Sequence, residues 1–282
     1  MQAEERTLSF SCAGAWLYGV LSLPAQAASR GILIVVGGPQ VRTGSHRQFT
    51  LLARSLAQAG FPVMRFDYRG MGDSEGEPRD FEQVQDDLRA ALDCFFAQVP
   101  GMRDVVLWGL CDGASAAAMY APDDARVAGL ALLNPWVRTE SGAAAATLKH
   151  YYRNRLLEPG LWKKIASGRF DAFGAVRSFV SVARNAFGRS GTEAPQAAEA
   201  SLPQRMHTAL QEFGGRVLVM LSGADLTAQE FAGLADGAPH WRRLLESSHV
   251  TRHTLAGADH TCSRREWHQQ VADWTGAWLR SW

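Results

Sequence analysis

Residues 105–115 read Val-Val-Leu-Trp-Gly-Leu-Cys-Asp-Gly-Ala-Ser, an apolar strand run that passes straight into a helix-forming stretch. A chain makes that join only through a sharp turn, and glycines flanking it let strand become helix without a side-chain clash. The spacing Gly109-Leu110-Cys111-Asp112-Gly113 is the nucleophile-elbow pattern with cysteine at its centre, which would push Cys111 out at the tip of a sheet on strained backbone. Free cysteine is also among the most buried residue types. The pentapeptide therefore needs partners elsewhere in the chain.

The surrounding sequence alternates short apolar runs with amphipathic stretches. Residues 6–12 and 15–23, around Ala13-Gly14, read as a hairpin, and strands are expected at 31–36, 61–66, 104–109, 127–133, 216–221 and 250–255. Helical spacing runs from Ser45 through Ala57, with Ser45 and Gln48 as a capping box, then over 81–98, over 112–120, and along a final stretch carrying Trp267, Val271, Trp274 and Trp278. This pattern predicts an α/β fold: a mainly parallel eight-stranded sheet with helices on both faces. A length of 282 residues, 46% hydrophobic, suits one large domain or a core with an insertion. Residues 137–205 lack a convincing strand and hold 11 Lys and Arg against 5 Asp and Glu. The expected division is a core of 1–136 and 206–282 with a basic helical cap, or lid, at 137–205.

A formal net charge of +1 argues against a general attraction for nucleic acid. No uninterrupted apolar stretch reaches membrane-spanning length, and the first residues, Met-Gln-Ala-Glu-Glu-Arg, lack the basic-then-apolar order of a signal peptide. Cys12, Cys94, Cys111 and Cys262 are scattered, without disulfide-framework or zinc-finger spacing. A soluble protein of the reducing cytoplasm is expected, with no cofactor and no metal.

A thiol nucleophile needs a base, and an imidazole needs an acceptor on its other nitrogen. The strand at 216–221 leads into Ser222-Gly223-Ala224-Asp225, and the strand at 250–255 into Ala256-Gly257-Ala258-Asp259-His260. Cys111, Asp225 and His260 thus occupy three strand ends, in the order nucleophile, acid, histidine. Asp259 is the weaker acid, because side chains of adjacent residues diverge; Ser115 lies too far into its helix to replace Cys111. Asp112 suits a helix start as a carboxylate. Its backbone N–H is the first expected oxyanion donor, and Gly38 the second, with Gln40 as fallback because Pro39 has no N–H. Arg42, His46 and Arg47 flank that loop and, with Gln40, are candidates for holding a substrate carboxylate or phosphate. Cys262 reads as packing. In the basic segment Lys149, Arg153, Arg155, Lys163 and Lys164 alternate with Tyr151, Tyr152, Leu156, Leu157 and Trp162. Such a run is commonly a solvated face, and the sharper reading is a mouth for an anionic or carrier-bound acyl substrate, or a membrane surface.

Gly37-Gly38-Pro39, Phe66-Asp67-Tyr68-Arg69-Gly70-Met71-Gly72-Asp73-Ser74, the elbow, Gly223-Ala224-Asp225 and Gly257-Ala258-Asp259-His260 together resemble the α/β-hydrolase superfamily over nearly the whole chain. More narrowly, Gly-Gly-Pro-Gln at 37–40, Gly-Ser-His-Arg-Gln-Phe at 44–49 and Gly-Leu-Cys-Asp at 109–112 resemble the exosortase A system-associated hydrolases, encoded beside bacterial exopolysaccharide and protein-sorting genes. The resemblance implies Cys111 as nucleophile, Asp225 as acid and His260 as base. Cysteine departs from the superfamily's usual serine, although dienelactone hydrolases also carry it. The expected activity is an esterase or thioesterase working through an acyl-thioenzyme. The alternatives are an acyltransferase using the same intermediate and a non-catalytic protein binding a ligand or partner.

Overall fold

The computed structural model describes residues 4–38, 40–137 and 200–282. Among them β1 (Glu4–Cys12), β2 (Ala15–Leu23), β3 (Arg30–Val35), β4 (Val63–Phe66), β5 (Asp104–Leu110), β6 (Val127–Leu133), β7 (Arg216–Ser222) and β8 (Val250–Leu255) form one sheet in the order β1-β2-β4-β3-β5-β6-β7-β8. β1 and β2 make the expected hairpin, and β2 also runs antiparallel to β4. All other pairings are parallel.

After their first residues, β3, β5 and β6 are apolar at every position because both faces are covered. Side chains alternate across a strand, so Leu33, Val35, Val105 and Leu107 enter one core while Ile32, Ile34, Val106 and Trp108 enter the other. The helices are α1 (Gln48–Gln58), α2 (Gln85–Gln98), α3 (Asp112–Tyr120), α4 (Leu202–Glu212), α5 (Leu226–Gly237), α6 (Pro239–Leu245) and α7 (Arg265–Leu279). α1 and α7 cover the Trp108 face, and α2, α3 and α4 cover the Leu107 face. The chain leaves β3 toward β4 on one side and β5 toward β6 on the other, so the sheet reverses its winding between β3 and β5. A crevice at the carboxyl ends of strands opens at such a switch point.

Local details differ from expectation. The capping box at Ser45 and Gln48 does not form: Gly44, His46 and Arg47 all have positive φ, and α1 begins only at Gln48. The Thr43 carbonyl instead accepts the Phe49 and Thr50 N–H groups. The helix expected over 81–98 is divided, a short 3-10 turn capped by Asp80 preceding α2. α4 crosses the expected core boundary at 206, and α5 and α6 were not foreseen. Most of the expected cap, 138–199, lies outside the described residues, as do Lys149, Arg153, Arg155, Lys163 and Lys164 and the aromatic residues among them. Among the described residues no helix is long and apolar enough to cross a membrane.

Buried ion pairs lock the loop that follows β4. Arg69 donates to Asp87 of α2 through Nε (3.1 Å) and Nη2 (2.8 Å), and its backbone N–H bonds the same carboxylate at 2.9 Å. Ser74 Oγ donates to the Asp67 carbonyl (2.8 Å) and accepts from the Tyr18 N–H (3.0 Å), closing the loop onto β2.

Candidate active site

β5 ends at Leu110, and the next residue, Cys111, sits at φ 60°, ψ −127° before α3 begins. Such backbone persists only where its surroundings over-determine it. Here the Cys111 N–H donates to the Leu133 carbonyl at 3.0 Å, and its carbonyl accepts from Ala114 (3.0 Å), Ser115 (3.2 Å) and Trp136 (3.2 Å). Neither glycine of the elbow tolerates a side chain. A Cβ on Gly109 would lie 2.5 Å from the Gly113 carbonyl oxygen, and one on Gly113 would lie 2.5 Å from that of Val35. The elbow therefore presses against the end of β3 and leaves the Cys111 thiol partly exposed.

Asp225 and His260 stand at the ends of the next strands but one and but two. His260 Nδ1 lies 3.0 Å from Asp225 Oδ2, which also accepts the Ala228 N–H (3.0 Å) as the cap of α5. The elbow sulfur of Cys111 acts on the same ring and favours its charged form. Asp225 first, and Cys111 next, hold the imidazolium against the opposing effect of burial, so the histidine is pushed up to about 10. Asp259 is turned away: its carboxylate accepts the Ser263 N–H (2.9 Å) and hydroxyl. Ser115 is fully buried and donates to the Trp136 carbonyl at 2.6 Å.

A raised histidine contributes stability that is complete below its ordinary value of about 6.5 and fades as pH climbs through about 10. The stability gap between the wild type and His260→Gln is accordingly expected to be widest in mild acid and to narrow toward pH 10. Denaturant titrations across that range check it, and a gap independent of pH would contradict the pairing.

The oxyanion loop departs from expectation. The Gly38 N–H donates to Asp112 Oδ2 at 2.8 Å, and Asp112 Oδ1 accepts from Gly113 at 3.0 Å. The Gly38 amide is thus already engaged, by a carboxylate seated on the amino end of α3. Burial raises that carboxyl, while the Gly38 and Gly113 amides act in the opposite direction. Gln40 keeps only a long backbone contact to the Gly37 carbonyl (3.4 Å), and its side chain accepts from Gln48 Nε2 at 3.1 Å. Arg42 is no free cation for a ligand, because its guanidinium is committed to buried Asp67 and, at 2.5 Å, to Asp73. His46 and Arg47 are exposed on consecutive left-handed residues. The charge of His46 reaches Asp259, beside His260.

Cys262 is buried, 3.7 Å from Ser222 Oγ, and burial pushes its thiol up to about 11. Among the described residues no group of three or more His, Cys, Asp or Glu side chains is placed to hold a metal ion. One residue escaped the sequence reading. Asn134, which follows the strand expected at 127–133, donates to the His260 carbonyl at 3.0 Å. The available signal was a polar residue, followed by proline, directly after a fully apolar strand.

Residues 32–274 match the sequence model of the Alpha/beta hydrolase family. Over 84 residues the chain is 36% identical to the lysophosphatidylserine lipase ABHD12 of Danio rerio, a stretch that spans 30% of this chain and 21% of the lipase. The esterase Pf2001 of Pyrococcus furiosus superposes with a TM-score of 0.67 at 14% identity, covering 99% of this chain and 91% of the esterase. The dienelactone hydrolase of Anabaena variabilis superposes with a TM-score of 0.62 at 16% identity, covering 100% of this chain and 99% of that one. At such identities the likeness is one of fold.

Proposed function

The chain belongs to the alpha/beta hydrolase family, and from that premise we propose that it cleaves acyl esters or thioesters through a Cys111–His260–Asp225 triad and an acyl-thioenzyme. The observation that carries this reading is the pairing of His260 Nδ1 with Asp225 Oδ2 at 3.0 Å, at strand ends of the sheet whose elbow leaves Cys111 partly exposed. Relatives named as a lipase, an esterase and a dienelactone hydrolase support it.

In the first half-reaction His260 stands as the imidazolium, holding at Nε2 the proton taken from the thiol, Cys111 Sγ attacks the acyl carbonyl carbon, and the carbonyl electron pair moves onto oxygen. The Asp112 N–H receives that oxygen. With Gly38 engaged by the Asp112 carboxylate, Gln40 of the same loop is the second donor. Collapse restores the carbonyl and breaks the bond to the leaving oxygen or sulfur, which takes the proton from His260. Water then attacks the acyl carbon and gives a proton to His260; the carbon–sulfur bond breaks, its electron pair returns to Cys111 Sγ, and the proton stays on the imidazolium opposite it. Asp225 holds the tautomer and the cation throughout.

Sulfur in the nucleophile position favours thioesters. Exchange of one thioester for another is nearly balanced, whereas attack on an ordinary ester must expel a poorer leaving group. The basic composition of 137–205 supports an anionic or carrier-borne acyl group. The resemblance of segments 37–40 and 44–49 to exosortase A system-associated hydrolases supports a role near exopolysaccharide metabolism, and free cysteines suit a reducing cytoplasm.

Intact-protein mass measurement after rapid mixing with panels of acyl thioesters and activated esters tests the reading. A mass increase equal to the acyl group, mapped to the Cys111 peptide and decaying in water, is expected. No adduct, or an adduct mapped to another residue, would overturn it.

A further inference from the structure

The three groups of the proposed triad stand at the ends of β5, β7 and β8, and the strand between the first two, β6, contributes none. The residue at its end is Asn134, wholly buried, with φ at 48°. Both polar atoms of its side-chain amide are engaged. Oδ1 accepts the Ser222 N–H at 2.8 Å, and Nδ2 donates both to Ser222 Oγ (3.0 Å) and to the His260 carbonyl (3.0 Å). The assignment of oxygen and nitrogen is unambiguous, since a backbone N–H requires an acceptor and a backbone carbonyl a donor. Ser222 is the last residue of β7, three before Asp225, and the Asn134 backbone N–H itself bonds the Met220 carbonyl of that strand (2.9 Å). The preceding residue, Leu133, receives the Cys111 N–H. The end of β6 therefore touches the elbow, the acid loop and the histidine loop.

We propose that Asn134 is a positioning residue for the reaction at Cys111, its amide fixing the backbone of His260 relative to the Asp225 loop so that the imidazole meets the thiol. The proposal rests on the triad reading. His260 lies in a loop, and its side chain is one third exposed, so packing alone does not fix the ring. A backbone tether compensates, and losing alignment by about 1 Å costs on the order of 100-fold in rate. The competing account is that asparagine is present only because it tolerates left-handed backbone. Glycine tolerates it better and has no amide, so Asn134→Gly separates the two.

The experiment is the rate of Cys111 alkylation by iodoacetamide as a function of pH, followed on the Cys111 peptide in the full chain, which requires no knowledge of the acyl substrate. The wild type is expected to show a profile that depends on His260 and is lost in His260→Ala. Asn134→Gly is expected to fold, to alkylate about 100-fold more slowly at neutral pH, and to shift the His260-dependent inflection downward. On an acyl thioester it should lower kcat with KM unchanged. Should the glycine variant fail to fold, Asn134→Asp keeps the shape and the acceptor for Ser222 while removing the donor to His260, and the same changes are expected. A variant that folds with the wild-type rate and profile overturns the role of Asn134. A wild type whose profile matches His260→Ala overturns the triad reading itself.

Discussion

Replacement of His260 by alanine is expected to slow acylation of Cys111 at neutral pH by about 10,000-fold, the upper end of what one positioned acid–base group contributes. The reason is that the imidazole acts twice, holding the thiol proton as attack begins and delivering it to the leaving group. The deficit should shrink in alkali, where hydroxide replaces the imidazole as proton acceptor. Asp225→Asn is expected to cost less, about 100-fold, because it leaves the base in place while removing the charge that steadies its cation and loosening the hold on its tautomer. Single-turnover rates with an activated thioester, measured beside Cys111→Ala as the floor, check the ranking. Rates unchanged in either the histidine or the aspartate variant would contradict the roles assigned to His260 and to the carboxylate 3.0 Å from its Nδ1.

Asp87→Ala is expected to be the most damaging substitution for stability, lowering it by about 3–5 kcal/mol. The Asp87 carboxylate is wholly buried and receives the Arg69 guanidinium and backbone N–H. Removing it strands a guanidinium that is itself 92% buried, with only exposed Asp86 nearby at 3.8 Å. The same loop holds Asp67, which anchors Arg42 behind the oxyanion loop, so thiol reactivity should fall with stability. Urea unfolding at constant slope measures the change. The double substitution Asp87→Leu with Arg69→Met should recover most of the loss, because a well-packed apolar pair replaces a buried ion pair at little cost. A single-variant loss below about 1 kcal/mol, the range of surface pairs, would contradict this account.

The strands were legible because parallel strands covered on both faces must be apolar at every position, and Ile32 through Val35 read no other way. The elbow was legible because Gly109 and Gly113 are demanded by close backbone crossings. The choice of Asp225 over Asp259 followed from chain geometry, and Asp225 is the carboxylate the structure sets against His260. The start of α1 was misread, since a serine followed by glutamine three residues on resembles a cap while the backbone between them turns left-handed. Arg42 looked like a ligand cation until the fold set it between Asp67 and Asp73, and Gly38 a free donor until Asp112 took its amide.

Periodicity and glycine spacing act between residues close in sequence, and these alone determined the sheet, the elbow and the order of Cys111, Asp225 and His260. Which hydrogen bonds those groups make was decided only by the tertiary structure. Gly38 and Asp112 are 74 residues apart, and Asn134 and His260 are 126 apart. A polar side chain finds its partner by proximity in space, and only the closed sheet brings such distant loops together.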